Sequence, residues 1–448
     1  MKRIGLALVW AVSTVLAQEP MTLTLEQAIS IARENSKSLL LSGARLNSAA
    51  SRAGEVKTAL YPNLHLYGGY TKLSPGTFSL ATPGSPGPIS VGPVVDNTYT
   101  LQVGVRQPLF TGFSLLENAR AAELEAEAAR FEYQMEEANL VLNVTTAYWT
   151  LYQTLQARRY ADENVTRLQS YLADTKHLAA AGLATENDRL KVEVQLASAK
   201  IAQIEAANDV EIAMLNLNNV MGQSLGTDLR LASRPDAAGD ADGVRSGGEA
   251  EDASGLAIQA WEAREDVQAL LARAEAARAG VDAARGQWWP RLDLTAHYLY
   301  NRPNSRYEPL TDGFIGSWDV GIQIAFDVWN WGATARKVEQ AEARVREREL
   351  QYDMLRDNVT LEVHSAALSL RRAWEKREVA ELAVTQAEES VRSTGDKYRN
   401  GLATSSELLD TEVSLVQAQT QHTGSQVEYA LARARLRRAI GQGSGHHE

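Results

Sequence analysis

The chain has 448 residues, a formal net charge of −11 and no cysteine. The lack of cysteine excludes disulfides, thiolate metal sites, a cysteine nucleophile and a lipidated N-terminal cysteine. An acidic chain without a basic cluster is poorly suited to a nucleic-acid partner. The sequence has no nucleophile elbow, no phosphate-binding glycine loop before a helix and no His-Glu-x-x-His, so we predict no enzyme and no metal or cofactor site.

The first seventeen residues have the pattern of a secretory signal peptide. Lys2 and Arg3 precede an apolar run, and Val15 and Ala17 have the small-residue spacing that a signal peptidase reads. The run is about a dozen residues long, which is shorter than the roughly 20 that a membrane-spanning helix needs. We therefore predict cleavage after Ala17 and export of the rest. No later stretch is long and apolar enough for such a helix, so any membrane spanning would use strands.

Two stretches without proline, 109–234 and 310–448, are rich in Ala, Leu, Glu, Gln and Arg. This composition predicts very long helices, from about Ser114 to Ala180 and from about Thr334 to Tyr398, each roughly 100 Å long at 1.5 Å per residue. Apolar residues recur at steps of three and four, which is typical of coiled-coil packing; examples are Leu140, Val144, Ala147, Leu151 and Leu155.

The two halves of the chain are duplicated at an offset of 219 residues, since Ala181–Thr185 aligns with Asn400–Thr404. We predict a first repeat at 18–232, with a β-hairpin at about 62–108 and a helix-pair tip near 182. The second repeat is 256–441, with a β-hairpin at about 290–328 and a tip near 401. A flexible linker at 233–255 joins them, and a tail at 442–448 follows.

Period-two alternation predicts four strands. The apolar positions of the clearest ones are Tyr99, Leu101, Val103 and Val105, then Leu292, Leu294, Ala296 and Tyr298, then Trp318, Val320, Ile322, Ile324 and Phe326. Ten residues at about 3.3 Å each, tilted by roughly 45°, cover the apolar band of an outer-membrane barrel. A soluble hairpin that packs its apolar face on a core remains the alternative. Four strands cannot close a barrel, so the membrane interpretation requires several chains.

Aromatic residues lie near the ends of these strands, as in the interface belts of membrane barrels. One set comprises Tyr61, Phe110, Trp288, Trp289, Trp329 and Trp331, and a second comprises Tyr70, Tyr99, Tyr300 and Trp318.

Each long helix is followed by a glycine, Gly182 or Gly401, that suits a left-handed cap. Thr185 is predicted to cap the first returning helix, and Ser405 or Ser406 the second.

Over nearly all of its mature length, the sequence resembles the TolC-like outer-membrane efflux proteins. The motifs that carry the resemblance are the strand starts at Pro62 and Pro290, Gln107-Pro108-Leu109-Phe110, Tyr398-x-x-Gly401 and Glu407-Leu408-Leu409-Asp410. The resemblance implies a mainly α protein with membrane β: duplicated antiparallel helical hairpins form a coiled-coil α-barrel, and four strands per subunit join a trimeric 12-stranded β-barrel. It also implies a homotrimer in the outer membrane that docks with a periplasmic adaptor and, through it, with an inner-membrane pump.

The resemblance further implies site residues at the tips. The adaptor-docking motifs map onto Gly182, Leu183, Ala184 and Thr185 and onto Gly401, Leu402, Ala403 and Thr404. A periplasmic gate maps onto the acidic residues Glu407 and Asp410, and a closed-state bond maps onto Tyr398 and Asp188. Some relatives have an arginine in this network where the chain has Ala403.

We therefore predict an exit duct of a tripartite efflux or type I secretion system. A secreted or periplasmic structural coiled-coil protein without channel activity is the main alternative, and a periplasmic adaptor is a weaker one because of the two predicted membrane hairpins. The exported substrate, whether drug, metal or protein, is not predicted.

Overall fold

The computed structural model of the chain describes residues 21–74, 79–80, 89–90, 95–235, 253–308 and 310–443. The predicted signal peptide, most of the predicted linker and the end of the predicted tail lie outside these residues. The helices are α1 (Leu25–Asn35), α2 (Lys37–Thr58), α3 (Ser114–Ala180), α4 (Glu186–Met221), α5 (Ala253–Ala263), α6 (Glu265–Arg285), α7 (Ala333–Arg399) and α8 (Ser405–Ala439). The strands are β1 (Met21–Leu23), β2 (Asn63–Lys72), β3 (Ser79–Leu80), β4 (Ile89–Ser90), β5 (Asn97–Phe110), β6 (Leu229–Leu231), β7 (Arg291–Arg302) and β8 (Ile315–Ala325).

The described chain forms two compact units. The first contains the residues up to Ser42, Tyr133–Glu265 and the residues from Arg356 on, and the second contains Gly43–Glu132 and Asp266–Leu355. Each unit draws on both predicted repeats. The repeats therefore divide the sequence but do not coincide with the two structural units. The positions of the repeat boundaries stay a prediction.

The predicted long helices are present with almost the predicted ends. α3 and α7 each have 67 residues, and the returning helices α4 and α8 have 36 and 35. Neither α3 nor α7 contains proline, which would remove a backbone hydrogen bond and clash with the preceding turn. In the described ranges, no helix is both long and apolar enough to cross a membrane.

The core of the first unit gathers around Tyr148 and Trp149 of α3, both buried and packed edge to face. Buried Leu217 and Met221 of α4 and Leu23 of β1 belong to the same cluster. β1 pairs in parallel with β6. The buried Tyr148 hydroxyl donates a hydrogen bond to the Leu23 carbonyl, and it accepts one from the Ser233 N–H, both at 3.0 Å. This hydroxyl therefore ties the first described strand to the chain that follows β6.

The second unit contains a four-stranded antiparallel sheet in the order β2-β5-β7-β8. Its register places the alternating apolar residues of all four strands on one face. In one row, for example, Leu66 lies opposite Val103, Val103 opposite Tyr298, and Tyr298 opposite Trp318. The residues between them, including Thr98, Thr100, Gln102, Arg106, Asp319 and Gln323, lie on the other face.

Candidate functional sites at the hairpin tips and on the sheet

The two hairpin tips of the first unit have the same backbone geometry. Gly182 and Gly401 adopt φ values of 75° and 71°, which confirms the predicted left-handed caps. The following residues, Leu183 and Leu402, donate backbone hydrogen bonds to the carbonyls of Leu178 and Lys397 at 2.9 and 2.8 Å. These bonds close each long helix and direct the leucine side chains outward, where they are 73% and 77% exposed.

Each returning helix begins with a capping box. Thr185 and Asp188 form the box of α4, and Thr404 and Glu407 form that of α8. The prediction that Ser405 or Ser406 caps α8 is wrong, because Thr404 has the extended backbone of an N-cap and its hydroxyl accepts from the Glu407 N–H. The acid three residues after the threonine completes the box and so selects the threonine.

Ser405 instead connects the two hairpins. Its hydroxyl donates to Asp188 Oδ1 at 2.6 Å, while Asp188 Oδ2 accepts from Thr185. These hydrogen bonds, first from Ser405 and then from Thr185, stabilise the carboxylate and lower the pKa of Asp188 to about 2. Nearby, Lys191 Nζ donates to Ser406 Oγ at 3.0 Å, which gives a second contact between α4 and α8.

The other predicted gate residues have different surroundings. Glu407 is exposed, and its pKa is lowered by the hydrogen bonds from Thr404 in the capping box. Asp410 is exposed one turn further on. Tyr398 is only 4% exposed, and its hydroxyl lies 2.6 Å from the Thr175 hydroxyl. Within the described part of this chain, Tyr398 and Asp188 are therefore bonded to other partners and not to each other.

A buried carboxylate that the sequence did not single out lies further along the hairpins. Glu412 of α8 is 1% exposed and accepts from Arg167 Nε at 2.8 Å and from the Tyr171 hydroxyl at 2.9 Å, both on α3. Burial, and then the negative charge of Glu412, raise the pKa of Tyr171. The three side chains form a polar contact that joins α8 to α3.

The apolar face of the sheet is exposed to a degree unusual for a protein surface. Ile322 and Trp318 are 65% and 71% exposed, and Leu66, Val103 and Tyr298 on the three other strands are 71%, 39% and 52% exposed. Within the described ranges, this face is not packed on an apolar core, which disfavours the alternative of a soluble hairpin. The predicted aromatics at one end of the sheet, Tyr61, Trp288, Trp289, Trp329 and Trp331, are exposed as well, and Phe110 is half-buried.

The opposite face of the sheet carries charged pairs. Arg106 and Asp293 form an ion pair at 2.8 Å. Asp319 accepts from His297 Nδ1 and from Arg306, both at 2.9 Å. The sheet therefore has one apolar and one mostly polar face, which is the pattern expected of a strand array between hydrocarbon and water.

These features define a class of protein with duplicated long helical hairpins and a two-faced antiparallel sheet. A family model described as outer membrane efflux protein matches residues 28–223 and 256–442. The chain belongs to this family. The predicted family, the mainly helical fold class and the outer-membrane location are confirmed, whereas the oligomeric state stays a prediction.

Individual relatives are distant. The probable efflux pump outer membrane protein TtgC of Pseudomonas putida is 25% identical over 335 residues, 74% of this chain and 65% of that one. The outer membrane protein TolC of Escherichia coli K12 is 22% identical over 93% of this chain and 82% of its own length. The crystal structure of the CmeC outer membrane channel of Campylobacter jejuni superimposes with a TM-score of 0.78 at 14% identity, covering 94% of this chain and 87% of that one. This likeness shows the fold.

The Asp188 contact generates a prediction about pH. The pKa of Asp188 is depressed from 3.8 to about 2. The stabilisation that its carboxylate gives to the contact between the hairpins is therefore fully present above about pH 4 and is lost as the pH falls through 2. With spin labels on Leu183→Cys and Leu402→Cys in this cysteine-free chain, we expect the distance between the tips to be constant from pH 7 to 4 and to increase towards pH 2. In Asp188→Asn, the distance should not change between pH 4 and 2. A transition of equal size in the variant would contradict the assignment.

Proposed function

We propose that the chain is the exit-duct subunit of a tripartite efflux or type I secretion system. Three copies would each contribute four strands to a 12-stranded barrel in the outer membrane and four long helix segments to a periplasmic tube. The duct conducts its cargo passively, and no catalytic step is assigned to it. The homotrimer, the adaptor and the inner-membrane pump all belong to this proposal.

The exposed apolar face of the sheet is the observation that supports the duct best. Apolar surface of this extent is unfavourable in water and favourable against lipid. In the described chain β2 pairs only with β5, and β8 only with β7, so both outer edges retain unpaired backbone groups. In hydrocarbon such edges must be paired, and copies of the same chain can pair β8 of one with β2 of the next.

A structural coiled-coil protein without channel activity would account for the long hairpins equally well. A structural coiled coil does not explain why the two faces of the sheet differ in polarity. One face carries ion pairs, and the other exposes Trp318, Ile322 and Ile324. The efflux-family membership also favours the duct.

The tips are proposed as the adaptor-docking surface. Both present an exposed leucine directly after a glycine cap, in the same conformation on each hairpin. An exposed apolar side chain on a hydrogen-bonded turn is a suitable anchor for a partner, because the turn has a defined backbone conformation before binding and less conformational entropy is lost. The surface comprises Gly182, Leu183, Ala184 and Thr185 together with Gly401, Leu402, Ala403 and Thr404.

Glu407 and Asp410 are proposed as an acidic ring at the periplasmic entrance of the trimer. Both are exposed on the first turns of α8. One carboxylate oxygen of Glu407 accepts the hydrogen bond from Thr404 in the capping box. The other oxygen and the negative charge remain available to interact with ions. Three copies around an axis would attract cations and repel anions, more strongly where low-dielectric walls surround the ring.

The membrane assignment is tested by two neighbouring lysine substitutions. We expect the unmodified protein to fractionate with the outer membrane, to have the mass of three chains after detergent extraction, and to conduct in planar bilayers. Ile322→Lys should reduce membrane assembly strongly, because a lysine facing lipid near the midplane costs about 2–4 kcal/mol per chain. The matched Gln323→Lys adds the same charge on the polar face and should assemble normally. Soluble, non-conducting monomers or dimers of the unmodified protein would favour the structural coiled coil.

The docking proposal is tested at the two exposed leucines. Leu183→Asp combined with Leu402→Asp should lower export at least tenfold while trimers and conductance persist, since a buried, unpaired carboxylate opposes docking. The control pair, Asn187→Asp and Asn400→Asp, adds the same charge beside the tips without removing an apolar anchor and should export normally. Normal export from the leucine variant would remove the tips from the docking surface.

The acidic ring is tested by the reversal potential in a salt gradient. Glu407→Gln with Asp410→Asn should lower the preference for cations over anions, because the ring loses six charges per trimer. Glu378→Gln with Glu381→Gln removes as many charges from the exposed surface of α7 and should have the smaller effect. An unchanged reversal potential in the Glu407 and Asp410 variant would discard the ring.

A further inference from the structure

A row of four residues crosses the polar face of the sheet. His65 of β2 lies opposite Gly104 of β5, Gly104 lies opposite His297 of β7, and His297 lies opposite Asp319 of β8. Residues directly opposite each other in antiparallel strands project on the same side of the sheet. The two histidines are 232 positions apart in the sequence, yet only one residue without a side chain separates them in the sheet.

Gly104 is what lets the two imidazoles meet. A Cβ at this position would overlap the His65 ring and would lie 3.0 Å from Cδ2 of His297. Without it, the two rings lean over the β5 backbone, with centroids 6.2 Å apart and planes at 68° to each other. The rings are therefore arranged edge to face and are not stacked.

Asp319 fixes the orientation and the tautomer of His297. Its Oδ2 lies 2.9 Å from His297 Nδ1. An ionised carboxylate can only accept a hydrogen bond, so Nδ1 carries the proton and the lone pair of the neutral ring is on Nε2. Arg306 in turn donates to Oδ1 of Asp319 at 2.9 Å and holds the carboxylate in place. A carboxylate behind a histidine in this way is the usual support of a metal-binding imidazole.

We propose that His65 and His297 bind a divalent transition-metal ion of the class that prefers imidazole, such as Cu²⁺, Ni²⁺ or Zn²⁺. With metal–nitrogen bonds of about 2.0–2.1 Å, two rings in a tetrahedral site have centroids roughly 5 Å apart, so metal binding requires side-chain rotations that bring the rings about 1 Å closer than the observed 6.2 Å. In the described ranges, no group of three or more His, Cys, Asp or Glu residues is placed to hold a metal ion. Water would therefore complete the coordination, and Asp319 acts as a positioning residue.

The surrounding charges permit a cation. Arg106, the nearest cation on the adjoining row, is paired with Asp293 at 2.8 Å, and Arg306 is paired with Asp319. His65 is exposed and His297 half-buried, so an ion can reach the pair from solvent. The site needs one chain only and does not depend on the proposed duct.

Cu²⁺ titration of the detergent-solubilised protein, followed by electron paramagnetic resonance, tests the site. The parent for these experiments is His446→Gln with His447→Gln, so that the histidines of the tail do not contribute. We expect one Cu²⁺ per chain, with hyperfine couplings from two imidazole nitrogens. His65→Gln and His297→Gln should each lower the affinity at least tenfold and leave one coupled nitrogen.

Three further variants make the test specific. Asp319→Asn should weaken binding about tenfold while both nitrogens remain coupled. Gly104→Ala should also weaken binding, because the added methyl displaces the His65 ring. His364→Gln, a substitution on α7, should have no effect. All variants should keep the oligomeric mass of the parent. Unchanged affinity and couplings in both His65→Gln and His297→Gln would overturn the proposal.

Discussion

Backbone hydrogen bonding at the sheet edges is the constraint on which the rest of the structure depends. A chain that places four strands against hydrocarbon must pair every N–H and C=O along them, yet β2 and β8 each have only one neighbour in the described chain. The exposed face with Ile322 and Trp318 cannot rest in water either. The proposed ring of strands from several copies would solve both problems. The long helical hairpins are compatible with the same closure, because each carries further exposed apolar residues.

The two faces of the sheet show how one alternation serves two solvents. Apolar rows such as Leu66, Val103 and Tyr298 need no partners beyond lipid, whereas the rows between them contain charges that are paired across strands. On the polar face, Arg106 is paired with Asp293, and Asp319 is paired with Arg306 and His297. His65 and His297, the pair beside Gly104, lie on this polar face. The metal binding proposed for them goes beyond the pairing of charges across the strands.

Local periodicity made much of this fold predictable. The ends of α3, the four strands and the glycine caps at Gly182 and Gly401 follow from patterns within a few turns or a few residues. Features set by tertiary contact were not predictable in the same way. The parallel pairing of β1 with β6 joins segments about 200 residues apart. The N-cap of α8 is Thr404 and not a neighbouring serine because Glu407 lies three residues later. This signal is present in the sequence, but the sequence-based prediction did not use it.

The candidate site residues show the same difference between features set by local sequence and features set by tertiary contact. The tips could be found from the duplicated motif, since both copies carry the same glycine, leucine and threonine. The partners of Tyr398 and Asp188 could not, because Thr175 and Ser405 reach them from other helices. His65 and His297 looked scattered in the sequence, since strand register alone brings them together.

The buried Glu412 limits how the hairpins can move. A shift of α8 along α3 by one helical turn, about 5.4 Å, would separate this carboxylate from Arg167 and Tyr171 while it stays out of water. Leaving a buried charge without its partner costs about 3–5 kcal/mol. Sliding is therefore opposed at this level, whereas tilting about the Glu412 contact keeps all three groups within reach.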